Sequence, residues 1–155
     1  MIEPTKTQTI ETSDLSQALQ PPVQVAAGMM DAWNAHNVDS VMSFYAIEYE
    51  GIDVGQATPE HGPEGKRRAV IRYLRAFPDL HFTTEETIVQ GDTVVLSWIA
   101  RGTHHGPLLN CPPTARTISV RGVSILEIRG GQIVRGVYNW DVAGMLREIG
   151  LLPDL

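Results

Sequence analysis

Cysteine is almost absent from this chain: Cys111 is the only one among 155 residues, so no intramolecular disulfide can form, and a reducing compartment is the simpler reading. Set in a Pro-rich stretch with no base beside it, that thiol reads as structural or inert. No apolar run approaches the roughly 18 residues of a bilayer-spanning helix, and the N-terminus lacks the apolar core of a signal peptide. Neither membrane insertion nor secretion is expected, and the cytoplasm is the expected location. Positive charge is in deficit, with Lys plus Arg 12 against Asp plus Glu 18 and a net charge of -6, which gives no electrostatic reason to meet nucleic acid or an anionic membrane. There is no Gly-rich phosphate cradle, no Ser-His-Asp arrangement and no internal repeat. Asp53, His61, His104 and Asp141 are of metal-ligating type but show no spacing such as His-x-x-x-His, so neither a metal nor a cofactor is expected.

What is present suits one domain. A chain of this length with 43% hydrophobic residues can bury most of the surface its unfolded form exposes. Residues 1–22, rich in Thr, Ser, Gln and Glu and closed by Pro21-Pro22, read as a flexible N-terminal tail, and 23–155 as a single domain. Val25, Met29, Met30 and Trp33 recur at helical spacing and predict a first amphipathic helix. Asn37 is placed to cap a second, with Val41, Phe44 and Tyr45 on one side, and the segment from Glu50 to Gly62 reads as an irregular loop holding Asp53, Glu60 and His61. Pro63 suits the first turn of a third helix with Val70, Ile71, Leu74 and Phe77 as its stripe; Lys66, Arg67, Arg68, Arg72 and Arg75 form its solvated face. From His81 the period becomes strand-like. Four strands are expected: His81 to Val89, Thr93 to about His104, Thr117 to Arg129, and a last one ending near Trp140, with tight turns at Gly91 and at Gly130-Gly131. Asp141 then stands where a helix N-cap belongs, ahead of Val142, Met145, Leu146 and Ile149. Helices first and an antiparallel meander after them predict an α+β fold with helices packed on one face of a curved sheet.

Several polar residues are set among these strands in a way that suggests a pocket. Tyr138 and Trp140 point the same way from their strand; either they are core aromatics, or Tyr138 donates to a substrate carbonyl while Trp140 stacks on a planar ring. Trp98 would supply apolar wall. Asp141 is a helix cap or, at a cavity mouth, a general base. His104 and His105 face opposite sides of a strand, so only one can point inward. Tyr49 and Asp53 are candidate pocket-rim residues, although a turn-forming Asp accounts equally for the second.

Gly62-Pro63-Glu64-Gly65, Phe77-Pro78-Asp79-Leu80, Gly102-Thr103-His104-His105-Gly106, Pro112-Pro113-Thr114 and Trp140-Asp141 with Leu146 and Gly150 occur in an order and with gaps that resemble the SnoaL-like polyketide cyclases, from about Val23 to Leu152. The resemblance implies a nuclear-transport-factor-like cone, a curved antiparallel sheet with the helices on its concave face and a deep pocket between them. It also implies a homodimer or homotetramer, a small hydrophobic or aromatic ligand, and cofactor-independent ring closure by intramolecular aldol condensation, using a carboxylate and a nearby His. The position of that carboxylate is held here by Tyr138, that of the His by Ser124, and a family Gly by Ala115. His104 is favoured as the inward histidine by its family position. The expected activity is therefore cyclisation or isomerisation of a polyketide-like or cyclic carbonyl substrate, with Asp141, His104 and Tyr138 as catalytic residues and Trp140, Trp98, Ser124, Tyr49 and Asp53 binding substrate. The alternative is a ligand-binding or accessory protein, or a hydroxylase component, using the same pocket.

Overall fold

The computed structural model of the chain describes residues 20–155, so most of the tail expected over 1–22 lies outside the described residues. The first helix, α1 (Pro22–Asn34), buries Val25, Met29, Met30 and Trp33, the stripe expected from their spacing. Helix α2 (Val38–Met42) is capped by Asn37, whose side chain accepts from the Ser40 amide. Strand β1 (Tyr45–Asp53) follows at once, and the two-residue β2 (Glu60–His61) leads into α3 (Gly62–Ala76). Four longer strands complete the sheet, β3 (His81–Gln90), β4 (Thr93–Thr103), β5 (Thr117–Arg129) and β6 (Gln132–Trp140), before the short α4 (Val142–Glu148).

The fold is α+β, with a curved, unclosed six-stranded sheet in the order β2-β1-β6-β5-β4-β3. The pairings of β3 with β4, β4 with β5 and β5 with β6 are antiparallel, as expected of a meander. The β5–β6 hairpin turns at Gly130 (φ 57) and Gly131 (φ 74), both left-handed, which only residues without a Cβ adopt at no steric cost and which matches the twist of the strands. Alternation along β4 turns Val94, Leu96, Trp98 and Ala100 inward and leaves Val95 and Ile99 part-exposed on the other face.

The structure differs from the sequence reading between Tyr45 and Gly62. Tyr45 to Asp53 is a strand, not helix end and loop, and it pairs parallel to β6. The period-2 signal there is broken because the register shifts between Tyr45 and Glu50, so Tyr45 and Ala46 are both buried and Ile47 and Glu48 both exposed; such irregularity hides a strand from pattern reading. The α3 stripe is also rotated. Ile71 is 39% exposed while Lys66 is 4% exposed, and the buried side of the helix runs through Gly65, Lys66, Ala69, Val70 and Ala76.

Ala115, where the resemblance implies a Gly, sits at φ 57. A Cβ in this left-handed conformation costs about 1–2 kcal/mol, partly offset by the extra unfolded-state freedom of Gly. Ala115→Gly should therefore stabilise the protein by about 0.5–1 kcal/mol, read as a raised urea midpoint at unchanged slope.

Candidate active site

The helices and the sheet enclose a cavity of about 770 Å3 including its mouth, of which about 90 Å3 is open to the centre of a water molecule. Its wall is mostly apolar and aromatic, with Trp33 from α1, Tyr73 from α3, Phe82 from β3, Trp98 from β4 and Trp140 from β6. Such a wall with a few convergent polar groups is the usual form of a small-molecule site. Among the lining residues, Asp53 is the one carboxylate and Lys66 the one ammonium.

Asp53 closes β1 and is 7% exposed. Its Oδ1 accepts from Trp140 Nε1 at 2.8 Å and from the Gly55 amide at 2.7 Å, and its Oδ2 accepts from the Tyr73 hydroxyl at 2.8 Å. Tyr73 in turn accepts from Gln56 Nε2 at 2.7 Å, and Arg72 donates to Gln56 Oε1. Burial, followed by the Asp53 carboxylate, pushes the Tyr73 hydroxyl well above its ordinary range, so it stays a donor. A carboxylate has about four acceptor sites; three are filled by protein donors, which fix its orientation and leave one free.

Lys66 anchors a second polar group. Its Nζ lies 3.4 Å from Glu60 Oε2 and 3.9 Å above the Tyr138 ring centroid, an arrangement in which a cation is attracted to the ring face. Tyr49 donates to Glu60 Oε2 at 2.8 Å and its hydroxyl lies 2.8 Å from that of Tyr138. Because Tyr49 has one proton and spends it on the carboxylate, Tyr138 must donate to Tyr49. Tyr138 therefore presents the cavity an oxygen whose proton is already used, rather than the free donor expected from the sequence. Burial raises the hydroxyls of Tyr45, Tyr49 and Tyr138 far above the phenol range, so all three stay neutral. The cluster fits because Gly51 and Gly136 pair across β1 and β6; a Cβ at Gly51 would lie 2.1 Å from the Tyr49 hydroxyl, and one at Gly136 would lie 2.3 Å from that of Tyr138.

The sequence candidates divide. Asp53, Trp98, Ser124, Tyr138 and Trp140 all line the cavity, and Tyr49 stands behind Tyr138 in its hydrogen-bond chain. Ser124 is the cross-strand partner of Tyr138 and accepts from Trp98 Nε1 at 2.9 Å. His104 and Asp141 are not among the lining residues. Asp141 is exposed and caps α4, its Oδ1 accepting from the Gly144 amide at 2.8 Å. His104 is fully buried, with Phe77 against its ring and the Thr114 amide donating to Nδ1, which places the neutral ring's proton on Nε2. His105 is exposed. No group of three or more His, Cys, Asp or Glu that could hold a metal ion occurs among the described residues. Lys66, Glu60 and Tyr73 were missed from the sequence, although Lys66, Ala69, Val70, Tyr73 and Phe77 fall on one helical stripe.

Burial lowers the pKa of His104. A base whose folded pKa is depressed takes up its proton more readily in the unfolded chain, so stability is full above the unfolded value of about 6.5 and falls as the pH drops below it. His104→Asn should flatten that part of the stability profile, read from urea midpoints across the pH range.

The profile of the family described as SnoaL-like polyketide cyclase matches residues 23–149. The chain is 28% identical over 135 residues to the aklanonic acid methyl ester cyclase DauD of Streptomyces sp. (strain C5), covering 85% of this chain and 83% of that one. It is 30% identical over 128 residues to the nogalonic acid methyl ester cyclase of Streptomyces nogalater, covering 79% and 92%. The structure of AclR from Streptomyces galilaeus, provisionally assigned as a hydroxylase, superposes with a TM-score of 0.77 at 21% identity over 86% of this chain and 87% of that one; that likeness speaks to fold alone. With the profile spanning α1 through α4 and two cyclases matching over most of their length, the chain belongs to the SnoaL-like polyketide cyclase family.

Proposed function

We propose that this protein closes or isomerises a ring in a polyketide-like or cyclic carbonyl substrate without a cofactor, with Asp53 as the proton acceptor. The observation that carries this reading is that Asp53 is the one carboxylate lining an otherwise apolar, aromatic cavity, held by three donors with one acceptor site free. In the aldol step the C–H bond α to a carbonyl breaks and its proton goes to Asp53. The resulting enolate carbon then bonds to a second carbonyl carbon of the same molecule, whose oxygen takes the proton back, so the product has the mass of the substrate. Trp98 and Trp140 provide flat wall for a planar ring system. Asp53 and Tyr138 are register partners across β1 and β6, so the carboxylate flanks the position at which the family resemblance would place an acid/base residue.

Incubation with polyketide methyl esters of the kind the two relatives are named for, followed by chromatography and mass measurement, tests the reading. A new species of unchanged mass, formed above the buffer rate, is the expected result. Esters that bind but remain unconverted would favour the second reading, a binding or accessory role, whose motive is the replacement of the family's acid/base pair by Tyr138 and Ser124. A cytoplasmic setting and a homodimer or homotetramer complete the proposal. Val95, Ile99, Val123 and Ile125 lie part-exposed or exposed on the sheet face turned away from the helices, apolar surface that a second copy would cover. Sedimentation at micromolar concentration should show a species above the 17.0 kDa of one chain.

A further inference from the structure

We propose that the Lys66 ammonium and the Tyr45 hydroxyl form a two-donor site for an oxygen that becomes anionic, so that the cavity takes enolisable ketones and acidic phenols as their oxyanions. Its catalytic meaning rests on the proton-transfer reading above, but the binding does not. Tyr45 lines the cavity and is 3% exposed, and its hydroxyl makes no hydrogen bond of good geometry, although the Tyr138 hydroxyl is near enough to bear on its ionisation. In this cluster the Tyr45 hydroxyl and Glu60 Oε1 are both buried without a hydrogen-bond partner, and a buried donor left unpaired marks the place of a missing polar group. Lys66 also lines the cavity, with three N–H donors. Its one carboxylate partner among the described residues, Glu60, stands at 3.4 Å, longer than the about 2.7–2.9 Å of a tight charge-assisted hydrogen bond. The other groups around the ammonium are rings: Trp33 from α1 at 5.9 Å, Tyr45 and Tyr49 from β1 at 5.3 and 6.0 Å, and Tyr138 from β6 at 3.9 Å. They favour a cation without using its protons.

Charge accounting gives this site a task. Lys66 and Glu60 offset each other, so Asp53 leaves the cavity one negative charge. When a C–H or O–H proton moves to Asp53, that charge leaves the carboxylate for the ligand oxygen, and the total is unchanged. The ligand therefore enters neutral, and the donors are needed where its charge appears, which is the condition for stabilising a transition state over a ground state.

The test uses para-nitrophenol, whose yellow absorption reports its ionised form. Its ionisation constant when bound should be roughly 10–100-fold larger in the wild-type protein than in Lys66→Met, the worth of a hydrogen bond to a charged group. Glu60→Gln, which removes the competing carboxylate but keeps an acceptor for Tyr49, should move the constant the opposite way. The double variant Lys66→Met/Glu60→Gln removes both charges together and serves if the single lysine variant does not fold. Tyr45→Phe should give a smaller loss. Equal constants with and without Lys66, Glu60→Gln shifting the same way as Lys66→Met, or no binding of para-nitrophenol by the wild-type protein would each overturn the inference. Asp53→Asn should leave the preference in place, so a missing preference beside Asp53-dependent turnover sinks this site alone, and a preference without turnover sinks the proposed reaction alone.

Discussion

Asp53→Asn should slow ring closure by about 100–1000-fold, the usual loss when a positioned general base is removed, while the folded protein remains. Asn keeps an oxygen to accept from Trp140 Nε1 and the Gly55 amide, so the turn after β1 and the Trp140 ring stay in place. On the other side the change is unfavourable, because an amide group would face the Tyr73 hydroxyl, which already accepts from Gln56. Losing one charge-assisted hydrogen bond there costs about 1–3 kcal/mol, or a melting temperature lower by roughly 2–12 °C in a domain of this size. Steady-state rates at a temperature where circular dichroism shows the variant folded separate the two effects. A variant that is destabilised but fully active would make Asp53 an architectural residue.

Lys66→Ala should have the largest effect on stability. Lys66 and Glu60 side chains are each 5% exposed, and removing one member of a buried pair strands the other, at a cost of about 3–5 kcal/mol. The melting temperature should fall by roughly 6–20 °C. Adding Glu60→Gln should recover a good part of the loss, since an amide needs no counter-ion and can still accept from Tyr49. Equal melting temperatures for wild type and Lys66→Ala would show that the pair contributes nothing net to folding.

The strands β4 and β5 were legible because buried positions alternate along them, and β3 and β6 because turn residues at Gly91 and Gly130-Gly131 mark them off despite the register shifts at Thr84/Glu86 and Glu127/Ile128; Asp141 was legible as a cap because an Asp ahead of Val-Ala-Gly-Met-Leu has an obvious local task. β1 was not, since its register shift between Tyr45 and Glu50 breaks the period that would have announced it. Lys66 was read as solvated because lysines on a basic helix face almost always are; its burial depends on a carboxylate that β2 brings in and three tyrosines that two other strands supply. No single segment carries that information. Asp53 accepts from the Gly55 amide as a turn-forming Asp does, and it also lines the cavity. What the sequence left undecided was which carboxylate stands inside, and that is fixed by tertiary contacts with Tyr73 and Trp140.

Deuterium uptake from heavy water into the α-position of a neutral cyclic 1,3-diketone, followed by proton NMR, reads carbon-acid proton transfer without knowledge of the native substrate. Wild-type protein and Asp141→Asn should catalyse the exchange at the same rate, because Asp141 is exposed and Asn is as good a helix cap, while Asp53→Asn should fall by about 100-fold or more. Exchange that survives in Asp53→Asn and is lost in Asp141→Asn would contradict the assignment of the proton acceptor to the inner wall of the cavity.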